Sequence, residues 1–200
     1  MRNQLLTACA VFIAACTASI DAADDVDTNA DEAELVAAGS AAQPLPVAAT
    51  MTLTALRNVM FPATPDASYQ AMAKSDVAVF ERAITTMWQG VTAENYAALA
   101  LACAGIGFEV KHYSVDGTEL WLLREDAAHR RGRGGYLFRA GRPAARSILL
   151  EAPHVYFDIG TGAISVAAFL ADTTGREHAL FGNSSHRYQG NAASDRKSVV

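Results

Sequence analysis

"RSILLEAPHVYFDIGTGAISVAAFLADTTGREHALFGNSSHRY", residues 146–188, decides the fold. Arg146–Ala152 is a short apolar run of strand length, Thr161 opens an amphipathic run of about ten residues with helical spacing, and "HALFGN" (178–183) is a second short apolar run. Strand, helix and strand with short joints make a βαβ unit. Its two strands are expected to be parallel, adjacent and joined by a right-handed crossover, so that they share one carboxyl edge.

Upstream, Met72, Val79, Phe80, Ala83, Ile84 and Met87 predict a helix from about Asp76 to Trp88. "GVTAENYAALALACAG" (90–105) predicts a second helix, with Thr92 as candidate N-cap, Asn95 in place of Glu at the capping-box position, and Gly105 and Gly107 at its close. Asp116-Gly117 lies between β-rich runs, which predicts a hairpin pairing Phe108–Tyr113 with Glu119–Arg124. "EDAAHRRGRGG" (125–135) reads as a polar loop, and Tyr136–Arg139 as another short strand. The fold class expected is α/β: two N-terminal helices, a β-hairpin and a mixed sheet ending in the parallel βαβ unit.

Composition sets limits. The chain has 200 residues, 51% of them apolar, and a formal net charge of −5. That argues for one domain and against nucleic acid as main partner, because phosphate binding needs a concentrated basic face. Charge is uneven: no Lys or Arg occurs between Cys16 and Arg57, while Asp21, Asp24, Asp25, Asp27, Asp31, Glu32 and Glu34 form an acidic block. Residues 16–50, rich in Ala, Asp and Pro, bury too little apolar surface to offset their ordering entropy and read as a flexible acidic tether. The folded domain is expected over 51–194.

Arg2 and the apolar run Leu5–Ala15 have the pattern of an export signal over residues 1–15, too short to span a bilayer as a helix. Ile13-Ala14-Ala15-Cys16 resembles the lipobox of bacterial lipoproteins, with Ile where Leu is usual. That resemblance implies lipidation at Cys16, a membrane-anchored domain in the cell envelope, and a periplasmic or surface-facing location; the rival is a secretory signal cleaved between Ala18 and Ala23. Cys9 lies in the signal, which leaves Cys103 without an intramolecular partner. Within an apolar helical run, Cys103 reads as a buried small hydrophobe rather than a reactive thiol. "DRKSVV" (195–200) matches one frame of a sequencing adapter, so the chain is expected to be a fragment broken near Ser194.

His154 follows the first strand of the βαβ unit by two residues, and His186 comes about two past the end of the second. Ligands of open α/β sheets bind beyond the carboxyl ends of strands, and strands lie about 4.8 Å apart. Two imidazoles on adjacent loops can reach one ion, with Asp158 as third ligand; two His and a carboxylate with an open position suit hydrolytic zinc. Two alternatives stand beside this: a structural turn in which Asp158 or Thr161 caps the helix, and a metal-free polar site.

"EAPHVYFD" (151–158), followed by helix, strand and "NSSHRY" (183–188), resembles the zinc-dependent amidohydrolases related to N-formylglutamate amidohydrolase and, more remotely, the zinc carboxypeptidases. The resemblance covers residues 146–188. It implies His154, Asp158 and His186 as zinc ligands, Arg187 as holder of a substrate carboxylate, and hydrolysis of an amide in a small acidic or peptide-like substrate. The spacing His154-x-x-x-Asp158 departs from the His-x-x-Glu of the carboxypeptidases, Val155 replaces a frequent Gly of the amidohydrolases, and no residue in the chain fills the general-base role. Glu151, in the strand, is expected to face away.

A second class of function is a non-catalytic envelope lipoprotein that binds a partner or an anionic ligand. His129, Arg130, Arg131 and Arg133, interleaved with Gly132, Gly134 and Gly135, could grip an anion or form a solvated loop. They match no phosphate-loop pattern, and no Gly-x-Ser-x-Gly elbow occurs. His112 and His178 read as structural or exposed.

Overall fold

The computed structural model describes residues 44–66 and 69–186. A six-stranded mixed sheet carries helices on both faces. The strands are β1 (Ala49–Thr50), β2 (Phe108–Val115), β3 (Thr118–Glu125), β4 (Gly135–Arg139), β5 (Ile148–Ala152) and β6 (Glu177–Gly182). The helices are α1 (Leu53–Met60), α2 (Lys74–Gln89), α3 (Tyr96–Gly105) and α4 (Thr161–Ala171). Strand order is β1-β2-β3-β4-β6-β5.

The βαβ unit forms as the apolar runs predict: β5 and β6 are parallel neighbours joined through α4, with Leu150 opposite Leu180 and Ala152 opposite Gly182. The Asp-Gly hairpin also forms, with eight pairs from Phe108 opposite Glu125 to Val115 opposite Thr118 where runs of six residues are expected. Asp116 and Gly117 both have positive φ, 49° and 80°, which gives the turn a twist matching the strands. The antiparallel pairs β3–β4 and β4–β6 complete the centre of the sheet.

Side chains alternate across the sheet and divide the core in two. Trp121, Leu123, Tyr136, Phe138, Ala179 and Phe181 face α2 and α3, where they meet Phe80, Ile84, Met87, Leu99 and Cys103. Leu120, Leu122, Leu137 and Leu180 face α1 and α4, against Leu56, Met60, Val166 and Phe169. A strand buried on both faces carries a continuous apolar run; "LWLL" at 120–123 has this form.

Two elements lie outside the sequence expectations. Thr52 caps α1, its hydroxyl accepting from the Ala55 amide at 3.2 Å, and this eight-residue helix covers the α4 face. β1 pairs in parallel with β2, so Pro44–Thr50, expected as the end of the tether, lie along the sheet. His112 holds them there: Nδ1 is 2.8 Å from the Pro46 carbonyl oxygen, Nε2 is 2.7 Å from the Glu119 carboxylate, and the ring stacks on Trp121 at 4.1 Å.

The second helix begins later than Thr92. Asn95 performs the reaching-back half of a capping box, accepting from the Thr92 amide at 2.8 Å, and the regular turns run from Tyr96. Cys103 is fully buried, and burial pushes its thiol up to about 12, which leaves it protonated and inert. Among the described residues no helix is long and apolar enough to cross a membrane.

Candidate functional site

One end of the sheet brings the predicted site segments together. β5 and β6 end there, β3 ends there with Glu125, and β4 begins there with Gly135 opposite Gly182. The turn 153–160, the strand end 183–186 and the loop 126–134 therefore leave the sheet on the same side.

The turn after β5 is compact. Phe157 and Asp158 amides both donate to the His154 carbonyl, at 3.0 and 2.9 Å, and the Thr161 amide donates to the Asp158 carbonyl at 3.0 Å. His154 and Asp158 are exposed. The N-cap of α4 is Gly160, in a left-handed conformation at φ 90°, and no side chain caps the helix. The expectation that Asp158 or Thr161 supplies a side-chain cap is thus corrected: a glycine accommodates the positive φ that the turn requires, and the Asp158 carboxylate is not drawn into a cap bond.

His186 is half-buried at the end of the next strand, and the ring of Phe157 meets it edge to face at 6.2 Å between centroids. The turn carrying His154 and Asp158 is therefore in contact with the segment carrying His186. Among the described residues, however, no three His, Cys, Asp or Glu side chains are gathered to hold a metal ion. Donor chemistry and placement at adjacent strand ends fit zinc; the three side chains do not converge on one point. Arg187 and Cys16 lie outside the described residues. Glu151 is exposed within β5, remote in register from its carboxyl end by one residue only, and has Phe181 as its partner on β6.

The Arg-Gly loop is organised around a buried carboxylate. Glu125 is 3% exposed, and its Oε2 accepts from the Arg131 and Arg133 amides, each at 3.0 Å. Its Oε1 has no hydrogen-bond partner and lies 3.8 Å from Arg133 Nε. Burial raises the Glu125 pKa, the two amides and the Arg133 charge opposing this and Asp66 adding to it. Arg133 itself is buried, donating from Nε to Gln70 O at 3.0 Å and from Nη2 to Ala71 O at 3.2 Å. Arg130 Nη1 lies 3.4 Å from Asp66. The loop is thus neither simply solvated nor an open cluster of cations: Arg133 is a structural tie, and a grip on an anionic polymer would have to do without it.

Asp66, Arg124, Glu125, Arg130 and Ser184 line a cleft of ≈ 10 Å³, room for about one water-sized group. The buried Tyr156 hydroxyl, in the turn after β5, has no hydrogen-bond partner. Burial pushes Tyr156 up to about 12, the Asp66 carboxylate adding to the shift and Arg130 opposing it.

The other histidines have structural places. Nε2 of His178 is 2.9 Å from the Trp88 carbonyl oxygen and its ring packs edge to face on Trp88. His129 Nδ1 sits 2.7 Å from the Asp126 carboxylate, within its own loop.

Sequence reasoning passed over two residues that shape this edge. Glu125 stands at the last position of a strand, where a buried carboxylate has no distinctive pattern. Asn183 stands directly after an apolar strand, and its amide makes bonds to both neighbouring segments, detailed below. Comparison of the chain with protein-family models, curated proteins and solved structures finds no match.

Proposed function

We propose that this chain is an exported, membrane-tethered zinc-dependent hydrolase that cleaves an amide in a small acidic or peptide-like substrate, with His154, Asp158 and His186 as metal ligands. The observation that carries this is the placement of the two histidine-bearing segments at the carboxyl ends of adjacent parallel strands, Ala152 opposite Gly182, with Phe157 packed on His186. Ligands of open α/β sheets are found in that position.

Zinc bound there would lower the pKa of its water toward 7 and polarise the substrate carbonyl. For the three ligands to meet, the exposed side chains of His154 and Asp158 must turn toward His186. A carboxylate that no helix cap uses suits such a rotation, with the backbone of the turn held in place by its own hydrogen bonds. Arg187, next to His186 in sequence, is the proposed holder of a substrate carboxylate, and Cys16 the proposed lipid anchor.

Metal analysis tests the proposal. The purified chain should carry about one zinc per molecule, and His154→Ala and His186→Ala should each abolish it. A chain without metal, or zinc retained in both variants, overturns it.

A further inference from the structure

We propose that Asn183 is a positioning residue that sets the separation of His154 and His186. Its side chain joins the residue before one histidine to the residue before the other. Nδ2 donates to the Pro153 carbonyl at 3.2 Å, and Oδ1 accepts from the Ser185 amide and the Ser185 hydroxyl, each at 3.0 Å. Its own amide donates to the Ala152 carbonyl at 3.2 Å, which continues the β5–β6 pairing one step past Gly182.

The chemistry fixes the orientation of this amide. A carbonyl on one side accepts only and a backbone N–H on the other donates only, so one orientation of the Asn side chain satisfies both, whereas a flipped one sets an oxygen against the Pro153 carbonyl and an N–H against the Ser185 amide and keeps only the Ser185 hydroxyl as a partner. Ser184, between the two arms, is held independently: its hydroxyl accepts from the Gly134 amide at 3.0 Å, and its carbonyl accepts from the Asp66 amide at 2.8 Å. The segment leading to His186 is thus fixed to the Arg-Gly loop and to residue 66, while the Asn183 amide, beside the Phe157–His186 ring contact, ties it to the turn of His154. Aspartate retains the acceptor but turns the Nδ2 donor into an oxygen facing the Pro153 carbonyl. Alanine removes both arms.

The role as the setter of ligand spacing rests on the zinc reading above, whereas the clamp itself is open to test without metal. Imidazole 1H–13C correlation spectra of the full chain in EDTA give one signal for each of the five histidines, assigned by single His→Gln variants. Asn183→Asp should move the His154 signal, and Asn183→Ala the signals of both His154 and His186. In each case His112, His129 and His178 should stay in place as internal controls. Unmoved His154 and His186 signals in both variants, or all five moving together in both, overturn the clamp. Zinc titration of the same samples separates the two proposals. If the parent chain takes up zinc, Asn183→Ala should weaken its affinity by about 10–100-fold, the range for groups that orient metal ligands, and an unchanged affinity refutes the spacing role. If the parent chain takes up none, the zinc reading fails and the metal-free spectra still decide the clamp.

Discussion

Gly182→Ala should destabilise the domain although alanine is ordinarily the better residue in a strand. A Cβ built on Gly182 would lie 2.2 Å from Phe61 Cε1 and 2.5 Å from Cζ, against about 3.5–4.0 Å for carbon atoms in good contact. The ring would have to retreat by more than about 1 Å, the difference between those distances. It has little room to do so, because Phe61 is buried and its other edge lies against Gly162, where an added Cβ would be 2.8 Å from Cδ2. Two glycines, one at the end of β6 and one in the first turn of α4, form the slot for this ring beneath the candidate site.

Overpacking of this kind costs about 1–3 kcal/mol. In a Phe61→Leu background the clash is relieved, and the ordinary preference for Ala over Gly, about 0.5–1 kcal/mol, should emerge with the opposite sign. Urea unfolding of the four proteins of this cycle gives the coupling directly, and a thermal melt should show about 2–4 °C per kcal/mol. A neutral Gly182→Ala, or an equal cost in both backgrounds, refutes the slot.

Two further outcomes are expected. Glu125→Ala should strand the Arg131 and Arg133 amides, at about 1–3 kcal/mol for each buried donor left unpaired, and expose the 126–134 loop to trypsin; Glu125→Gln, which keeps an acceptor, should resist cleavage nearly as the parent does, and equal cleavage of both variants would contradict the assigned role. Burial lowers the His178 pKa, the bond to Trp88 opposing the shift and Arg139 adding to it. The unfolded chain then binds more protons below about pH 6.5, so stability should fall as pH drops from 7 to 5; in His178→Gln this part of the pH dependence should flatten, and an unaltered slope in urea titrations would refute it.

Periodicity made most of the architecture legible. Val79 through Met87 announced α2 because a helical stripe over several turns has few competing explanations, and Asp116-Gly117 announced the hairpin because few residue pairs accept two positive φ values. The eight-residue α1 escaped notice: Leu56 and Met60 alone make too short a stripe, and the helix is stabilised by packing on α4 rather than by its own signal. β1 has two residues, and its attachment depends on His112, about sixty positions away, which no local pattern can reveal.

For the candidate site, sequence spacing fixed which residues share an edge. His154 and His186 follow the two strands of a βαβ unit, and parallel strands joined by one crossover end on the same side. Tertiary structure decided how their side chains are used. Asp158 is no helix cap because Gly160 takes that position with a positive φ, and Arg133 is no surface cation because Glu125, buried at a strand end, draws the loop inward around its carboxylate. The link through Asn183 was beyond the sequence for the same reason: it joins residues thirty positions apart, and only the register of β5 against β6 brings their backbones within reach of one amide.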